Sequence, residues 1–329
     1  MRVAVTGASG HLGNVVCRFL IEKGFEVNAL YNSDTRALEG LNVDLIKANI
    51  LVPEDLNRAF TGCEMVINCA GIITIHGDPK GIVFNTNTEG PKNVINAAIV
   101  SGVKKIVHIS STHAINEKPL DRPMTEERSY KTEKNFAYDY SKARGEQIML
   151  EAFKSRRIEG CVIRPSSLIG PFDYKPSELG KALLDFKNEK VPVLPPGGYD
   201  FLDVRDAAES IVRALEKGRN GEVYMVTGNY YSIKEFAKDV QAVTKSKVPK
   251  IVLPFWFMRM ILPLVILCGK LKGAAPLFTK ESILVLKKGH PNMDNAKARE
   301  ELNHRVRPLV ETFADYYNWH DRIIEERRN

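Results

Sequence analysis

Two side chains near the middle of the chain have the types and the spacing to move a proton. In FAYDYSKARGEQ, residues 136–147, Tyr138 stands four residues before Lys142. On a helix those positions share one face about one turn apart, while Tyr140 points elsewhere. A phenol beside an ammonium is either a reactive pair or an ordinary surface contact, and the pair alone does not decide between them.

A second stretch has chemistry written in its backbone. MRVAVTGASGHLGNVVCRFLIEKG reads as a buried apolar strand, a glycine-rich turn and an amphipathic helix ending at Gly24. In the turn TGASGHLG, Gly7 permits the bend, Gly10 lets backbone approach a pyrophosphate, and Gly13 lets the helix pack closely on the strand. The helix start, with Ser9, His11 and Leu12 around it, offers free N–H groups and a positive dipole end to phosphates. Between strand and helix, these glycines read as a dinucleotide site.

The elements that must position both features alternate. FEVNALYN, LNVDLIKANI, MVINCAGII, VKKIVHISS and GCVIRPSSLIG read as strands, with helical segments PEDLNRAFTG and PKNVINAAIVSG between them. That alternation predicts an α/β fold, a Rossmann-type doubly wound parallel sheet, whose ligands bind beyond the carboxyl ends of the strands. The second strand ends at Tyr31 and Asn32 without the acid that would accept the ribose hydroxyls of NAD; Ser33 and Arg36 could instead meet a 2′-phosphate. NADP is therefore the preferred cofactor, and Asp34 keeps NAD open.

Composition sets the frame. The 329 residues are 44% hydrophobic and 26% charged, as in a globular protein; 47 Lys and Arg against 40 Asp and Glu give +7. This balance favours anionic partners, but the basic residues are too scattered for a nucleic-acid reader. Five cysteines and seven histidines form no metal-ligand spacing, so no metal is expected. Met1 runs straight into a strand, so no signal peptide is expected, and reduced thiols suit a cytoplasmic location.

The ordered motifs TGASGHLG, NCAG, HISST, YDYSK and VIRPSSLIGP resemble those of the extended short-chain dehydrogenase/reductases, the NAD-dependent epimerase/dehydratase superfamily. Across the whole chain the resemblance is strongest to the dihydroflavonol-reductase-like and hydroxysteroid-dehydrogenase-like branch. It implies a dinucleotide-binding domain over residues 1–170, to which 199–230 return, and a smaller C-terminal substrate lobe from 171–198 and 231–329. It also implies that Tyr138 exchanges a proton with the substrate oxygen while the nicotinamide exchanges hydride. A phenol of pKa near 10 is a poor base at neutral pH, so Lys142 is expected to favour the phenolate and to hold the nicotinamide ribose.

The same resemblance assigns the substrate-orienting hydroxyl to Thr112, with Ser111 the alternative and Ser110 a local strand-end bond. Pro165, Ser166 and Ser167 would hold the nicotinamide carboxamide, and Ala70 and Gly71 would leave room for its ribose. Asn49 and Ile50 would border adenine, with Asn49 where the family has aspartate. Asn87 is expected to brace the sheet, Arg164 to brace a loop or touch substrate, and His113 to be an exposed loop residue.

Substrate identity should reside in the lobe. Its passage IVLPFWFMRMILPLVILCGKLKG, residues 251–273, is the most apolar in the chain, yet Arg259 breaks it and Pro254 and Pro263 would interrupt a helix. It reads as a helix covering an apolar pocket or packed in the lobe, with weak membrane-surface contact through 251–273, flanked by Lys270 and Lys272, as the alternative. The resulting expectation is an NAD(P)-dependent enzyme interconverting a secondary alcohol and a ketone on a fairly apolar small molecule. The alternatives are a nucleotide-sugar epimerase or dehydratase with tightly held NAD, and a non-catalytic NADP-sensing protein. A homodimer through the Tyr138 helix is a further implication of the resemblance.

Overall fold

The computed structural model describes residues 1–74, 77–271, 283–284, 286–287 and 289–326. Strands β1 (Arg2–Thr6), β2 (Glu26–Tyr31), β3 (Asp44–Lys47), β4 (Met65–Asn68), β5 (Lys105–Ile109), β6 (Glu159–Pro165) and β9 (Val223–Val226) form one sheet in the order β3-β2-β1-β4-β5-β6-β9. Every pairing in it is parallel. Parallel strands need crossovers, and these are α1 (His11–Glu22), α2 (Pro53–Phe60), α3 (Ile82–Val100), α4 (Ala137–Lys154) and α6 (Val204–Lys217). This is the expected Rossmann-type α/β fold. Chain order reverses between β1 and β4, the crevice where such sheets take ligands.

Both faces of the sheet are covered. On one, Val15, Val16 and Leu20 of α1 and Ala207, Ala208 and Ile211 of α6 pack against β1, β5 and β6. On the other, Leu56, Phe60, Val94, Ile95, Met149 and Phe153 fill the space under α2, α3 and α4. Strands buried on both faces are nearly continuous runs of apolar residues, which is why they were legible in the sequence.

The run GCVIRPSSLIG is two strands rather than one. β6 ends at Pro165, and β7 (Ser167–Ile169) joins β8 (Gly198–Asp203) and β10 (Asn229–Ser232) in a second sheet of order β10-β8-β7. Helices α5 (Glu178–Lys187), α7 (Ile233–Thr244) and Leu309–Glu326 pack there around Phe201, Phe236, Phe313, Tyr316 and Trp319. Strand β8 therefore lies in the small sheet, whereas α6 and β9 belong to the central one.

Two helices cross prolines. Helix α3 begins at Ile82, so FNTNTEG is helical and Pro91 lies inside it. Proline has no N–H for the carbonyl four residues back, which frees that of Asn87. A Cβ on Gly145 of α4 would collide with that carbonyl oxygen, so this glycine lets the two helices meet there. Helix α8 (Phe255–Leu271) likewise contains Pro263, contrary to the expected interruption. Pro263 and Arg259 are both exposed, and water can take the freed Arg259 carbonyl. Lys272, expected to flank this helix, lies outside the described residues.

Candidate active site

The glycine turn has the geometry of a phosphate cradle. Gly7 has φ 65°, and a Cβ there would come within 2.9 Å of Ala70 backbone atoms across the β1–β4 crevice. A Cβ on Gly13 would collide with the Gly7 carbonyl, whereas Gly10 is exposed. Gly10 caps α1 without a side-chain bond, and the first turn carries no acid to compete with a phosphate. His11 is tied by Nε2 to the Pro171 carbonyl, 3.0 Å away, and Asn14 reaches Gly10, His11 and Phe172 carbonyls. The turn is thus joined to the loop that follows β7. These residues fit a dinucleotide pyrophosphate.

A buried polar chain supports the crevice floor. Thr6 donates to Asn68 at 2.6 Å and accepts from the Ala70 N–H at 3.1 Å, while the Asn68 amide lies 3.0 Å from His108 Nδ1. Burial, aided by the Lys142 charge, pushes the His108 pKa well down, so its neutral ring accepts from Asn68. Asn87 accepts from the Ile72 N–H and donates to the Ile72 carbonyl and the Ser141 hydroxyl. It braces the 70–72 loop from α3, the structural part expected of it. Gly71 sits where a Cβ would lie 3.5 Å from Lys142 Nζ.

The two residues singled out in the sequence, Tyr138 and Lys142, stand near the end of β5. Both lie in the first turns of α4; Lys142 is buried and Tyr138 is half-buried. Lys142 Nζ donates to the Ile109 carbonyl at 2.8 Å. Burial lowers its pKa to about 8. Burial raises Tyr138 to about 12, against the pull of a hydrogen bond from Ser111. The expected lowering of the phenol by Lys142 is not what dominates: desolvation wins, and the phenol is neutral at neutral pH.

The two candidate hydroxyls, Ser111 and Thr112, take different places. Ser111 caps the short turn Thr112–Ala114, accepting from the His113 N–H at 3.1 Å and donating to the phenol. Thr112 instead lines the adjoining pocket. Ser110 bonds Glu146 in the core, as expected of a local contact.

Around this point lie two ionic clusters. Arg164 and Glu146, 1% and 0% exposed, form a forked pair joined by Ser110 and the Tyr130 hydroxyl. Arg164 also donates to the Glu126 carbonyl, so it braces a loop and does not face the pocket. On the pocket wall, Lys131 pairs with Asp139 at 2.7 Å and Glu117 at 3.1 Å, and His113 Nδ1 lies 3.3 Å from Asp139. Burial raises the Asp139 pKa, but the His113 bond and the Lys131 charge outweigh it and hold the carboxyl below its usual range. His113 is one-third exposed, and its ring centroid stands 6.1 Å from that of Tyr138. It is a pocket residue, which sequence reasoning missed; the signal was its place directly after the strand-end hydroxyls, with an aspartate beside Tyr138.

The pocket is also walled by Ile115, Met124, Phe136, Tyr199 and Met293, together with Ser166 and Ser167. Ser166 accepts from the Gly228 N–H, which also donates to Asp200 at 2.7 Å. Pro165 is the last residue of β6 and aligns with Val226. Of the residues expected near the adenosine, Asn32 and Ser33 are exposed beyond β2, and Arg36 is held by Asp34 at 2.6 Å. The Asn49 N–H donates to Asp55, its side chain accepts from the Leu51 N–H, and Ile50 packs against Gly90.

Comparison with known proteins agrees with this geometry. The chain is 28% identical over 327 residues to sterol demethylase protein B of Methylococcus capsulatus, covering 97% of this chain and 98% of that one. It is 28% identical to a putative dihydroflavonol 4-reductase of Synechocystis, over 96% and 93% of the two chains. The crystal structure of gox2253 superposes with a TM-score of 0.84 at 26% identity, over 97% of this chain and 98% of that one. Residues 3–227 match the profile of the NAD dependent epimerase/dehydratase family, and the chain belongs to that family, as an NAD(P)-dependent oxidoreductase of the extended short-chain type.

Proposed function

We propose that the protein interconverts a secondary alcohol and a ketone on a fairly apolar small molecule, with residues 171–198 and 231–329 giving the substrate its lobe. The observation that carries this reading is a pocket walled by Ile115, Met124, Phe136 and Met293 and lined also by His113, whose ring centroid stands 6.1 Å from that of Tyr138. Bound nicotinamide would supply or accept the hydride. Tyr138, neutral because burial raises it to about 12, holds the proton that a carbonyl oxygen receives on reduction. Ser111 fixes the phenol, and Lys142, poised near 8, supplies a charge beside the nicotinamide ribose position at Gly71. The turn at Gly7, Gly10 and Gly13 takes the pyrophosphate, and Pro165 and Ser167 border the carboxamide.

A nucleotide-sugar substrate would need basic groups for its diphosphate. Arg205 is engaged by Asp203 and Asp315, and Arg213 by Glu209 and the Asn303 carbonyl. This favours the apolar ketone. NADP remains our preferred cofactor through Ser33 and Arg36, although Asp34 competes for the latter.

Fluorescence titration with NADPH and NADH, combined with Tyr138→Phe, tests the reading. The variant should bind cofactor normally and lose turnover by about a thousandfold or more, the scale expected for a general acid. Unchanged turnover would refute the role of Tyr138, and failure to bind either cofactor would refute the site.

A further inference from the structure

The chain's net charge has one address. Residues 240–280 contain seven Lys and Arg and no Asp or Glu; without those seven, the chain's 47 basic residues become 40, equal to its 40 acidic ones. The same stretch carries α8, whose outer face is apolar. Trp256, Met260 and Leu264 recur every four residues, hence on one face, and are 68%, 59% and 63% exposed. Ile251, 63% exposed, lies just ahead of the helix. Lys245, Lys247 and Lys250 precede the helix in the chain and Arg259 lies within it; all four are exposed, and none forms an ion pair among the described residues.

The helix is anchored from its other side. Met258 is buried, the Phe255 ring faces Gly197, and Leu194 bonds the backbone of Ile251 and Leu253. Gly197 is two residues from Tyr199 on the pocket wall. The 17 residues of α8 span about 25 Å at 1.5 Å each, short of a hydrocarbon core of about 30 Å, and Arg259 sits on the exposed face. No helix among the described residues is long and apolar enough to cross a membrane.

We propose that the exposed face of α8 docks in the plane of an anionic lipid surface, with Trp256, Met260 and Leu264 entering the interface and the neighbouring lysines meeting the headgroups. An apolar stripe alone would suit many partners. Coupled to a basic stretch that holds the whole net charge, it fits a surface offering hydrocarbon and negative charge together. Delivery of an apolar substrate from the bilayer to the pocket beside Tyr199 rests on the proposed function; the docking itself does not.

Co-sedimentation of the full chain with vesicles decides it. The protein should pellet with phosphatidylcholine vesicles containing about 30% phosphatidylglycerol, with an apparent affinity about tenfold or more above that for phosphatidylcholine alone, and salt should release it. Tryptophan emission should shift to the blue with anionic vesicles, and Trp256→Phe should abolish the shift. The combined variant Trp256→Ser, Met260→Ser, Leu264→Ser should stay in the supernatant while titrating with NADPH as before. Failure to pellet with either vesicle, or pelleting unchanged by the triple substitution, overturns the proposal. A concentration-dependent dimer dissolved by the same substitutions would overturn it in favour of a second copy of the chain. Loss of NADPH binding would count against the proposed function and leave the vesicle result standing.

Discussion

Helix α4 carries one carboxylate into each of two ionic clusters, and their surroundings differ. Glu146 meets Arg164, Ser110 and Tyr130 with essentially no exposure, so every lone pair is spoken for within the protein. Asp139 meets Lys131 and His113, also largely buried, but His113 opens onto the pocket. The first cluster holds together the end of β5, the end of β6 and α4. The second has a member that a ligand can touch. Similar charges on one helix thus serve cohesion in one place and recognition in the other, and access to the pocket makes the difference.

The largest effect should come from breaking the closed cluster by half. Arg164→Met leaves Glu146 as an unpaired buried carboxylate, which costs about 3–5 kcal/mol. Arg164→Met with Glu146→Leu removes both charges and should recover most of that loss. Urea unfolding of the single and double variants checks it; equal destabilisation would mean that the pair is not what the region depends on.

Lys142 lies between the clusters without a carboxylate of its own, and its pKa sharpens the contrast. Burial lowers it from 10.5 to about 8. Below pH 8 both folded and unfolded chains are protonated there, and the folded chain carries the full desolvation cost. Between pH 8 and 10.5 the folded lysine gives up its proton first, so its cost fades as pH rises. Relative to Lys142→Met, the native chain should therefore gain up to about 3 kcal/mol between pH 7 and pH 10. Unfolding curves of both proteins at the two pH values read this directly. A pH-independent difference would mean that the ammonium is better solvated than its burial implies.

The sequence made the cofactor half legible because its constraints are local. Gly7 is required by the positive φ of the turn and Gly13 by backbone contacts within it, and buried parallel strands announce themselves as apolar runs. The site depends on longer reach. Whether Ser111 or Thr112 faces Tyr138 is set by the cap of a one-turn helix, which no periodicity reports. Lys131 and His113 meet Asp139, and Glu117 meets Lys131, only because the loop after β5 folds back on α4. Pro263 reads as a break, yet α8 continues through it because its free carbonyl faces water. Pro165 and Ser167 looked like parts of one strand, and their split between sheets at Ser166 appears only once β8 is in place.

The open cluster should respond less in stability and more in kinetics. Asp139→Asn keeps the shape but removes the charge that holds Lys131 and orients His113, and it should lower kcat/KM about tenfold, near 1.4 kcal/mol. His113→Gln should do less to stability and act mainly through KM, because its ring is the member facing a ligand. If both variants lowered stability by as much as Arg164→Met and left kcat/KM unchanged, the two clusters would be structural alike.

A third ion pair, Asp34 with Arg36, extends the comparison to the surface, where the side chains are 37% and 49% exposed. Here the Arg36 hydrogen bond holds the Asp34 carboxyl down to about 2, so the aspartate stays ionised through the physiological range. Water screens such a pair, and its loss should leave stability unmoved. Its expected effect is on cofactor choice. Arg36→Ala removes the guanidinium that could meet a 2′-phosphate and should weaken NADPH about fivefold while leaving NADH unchanged. Asp34→Ala frees Arg36 and should move the ratio the other way. Both variants titrated with both cofactors give four affinities; a preference that follows Asp34 alone would assign the ribose end to that carboxylate and make NAD the natural cofactor.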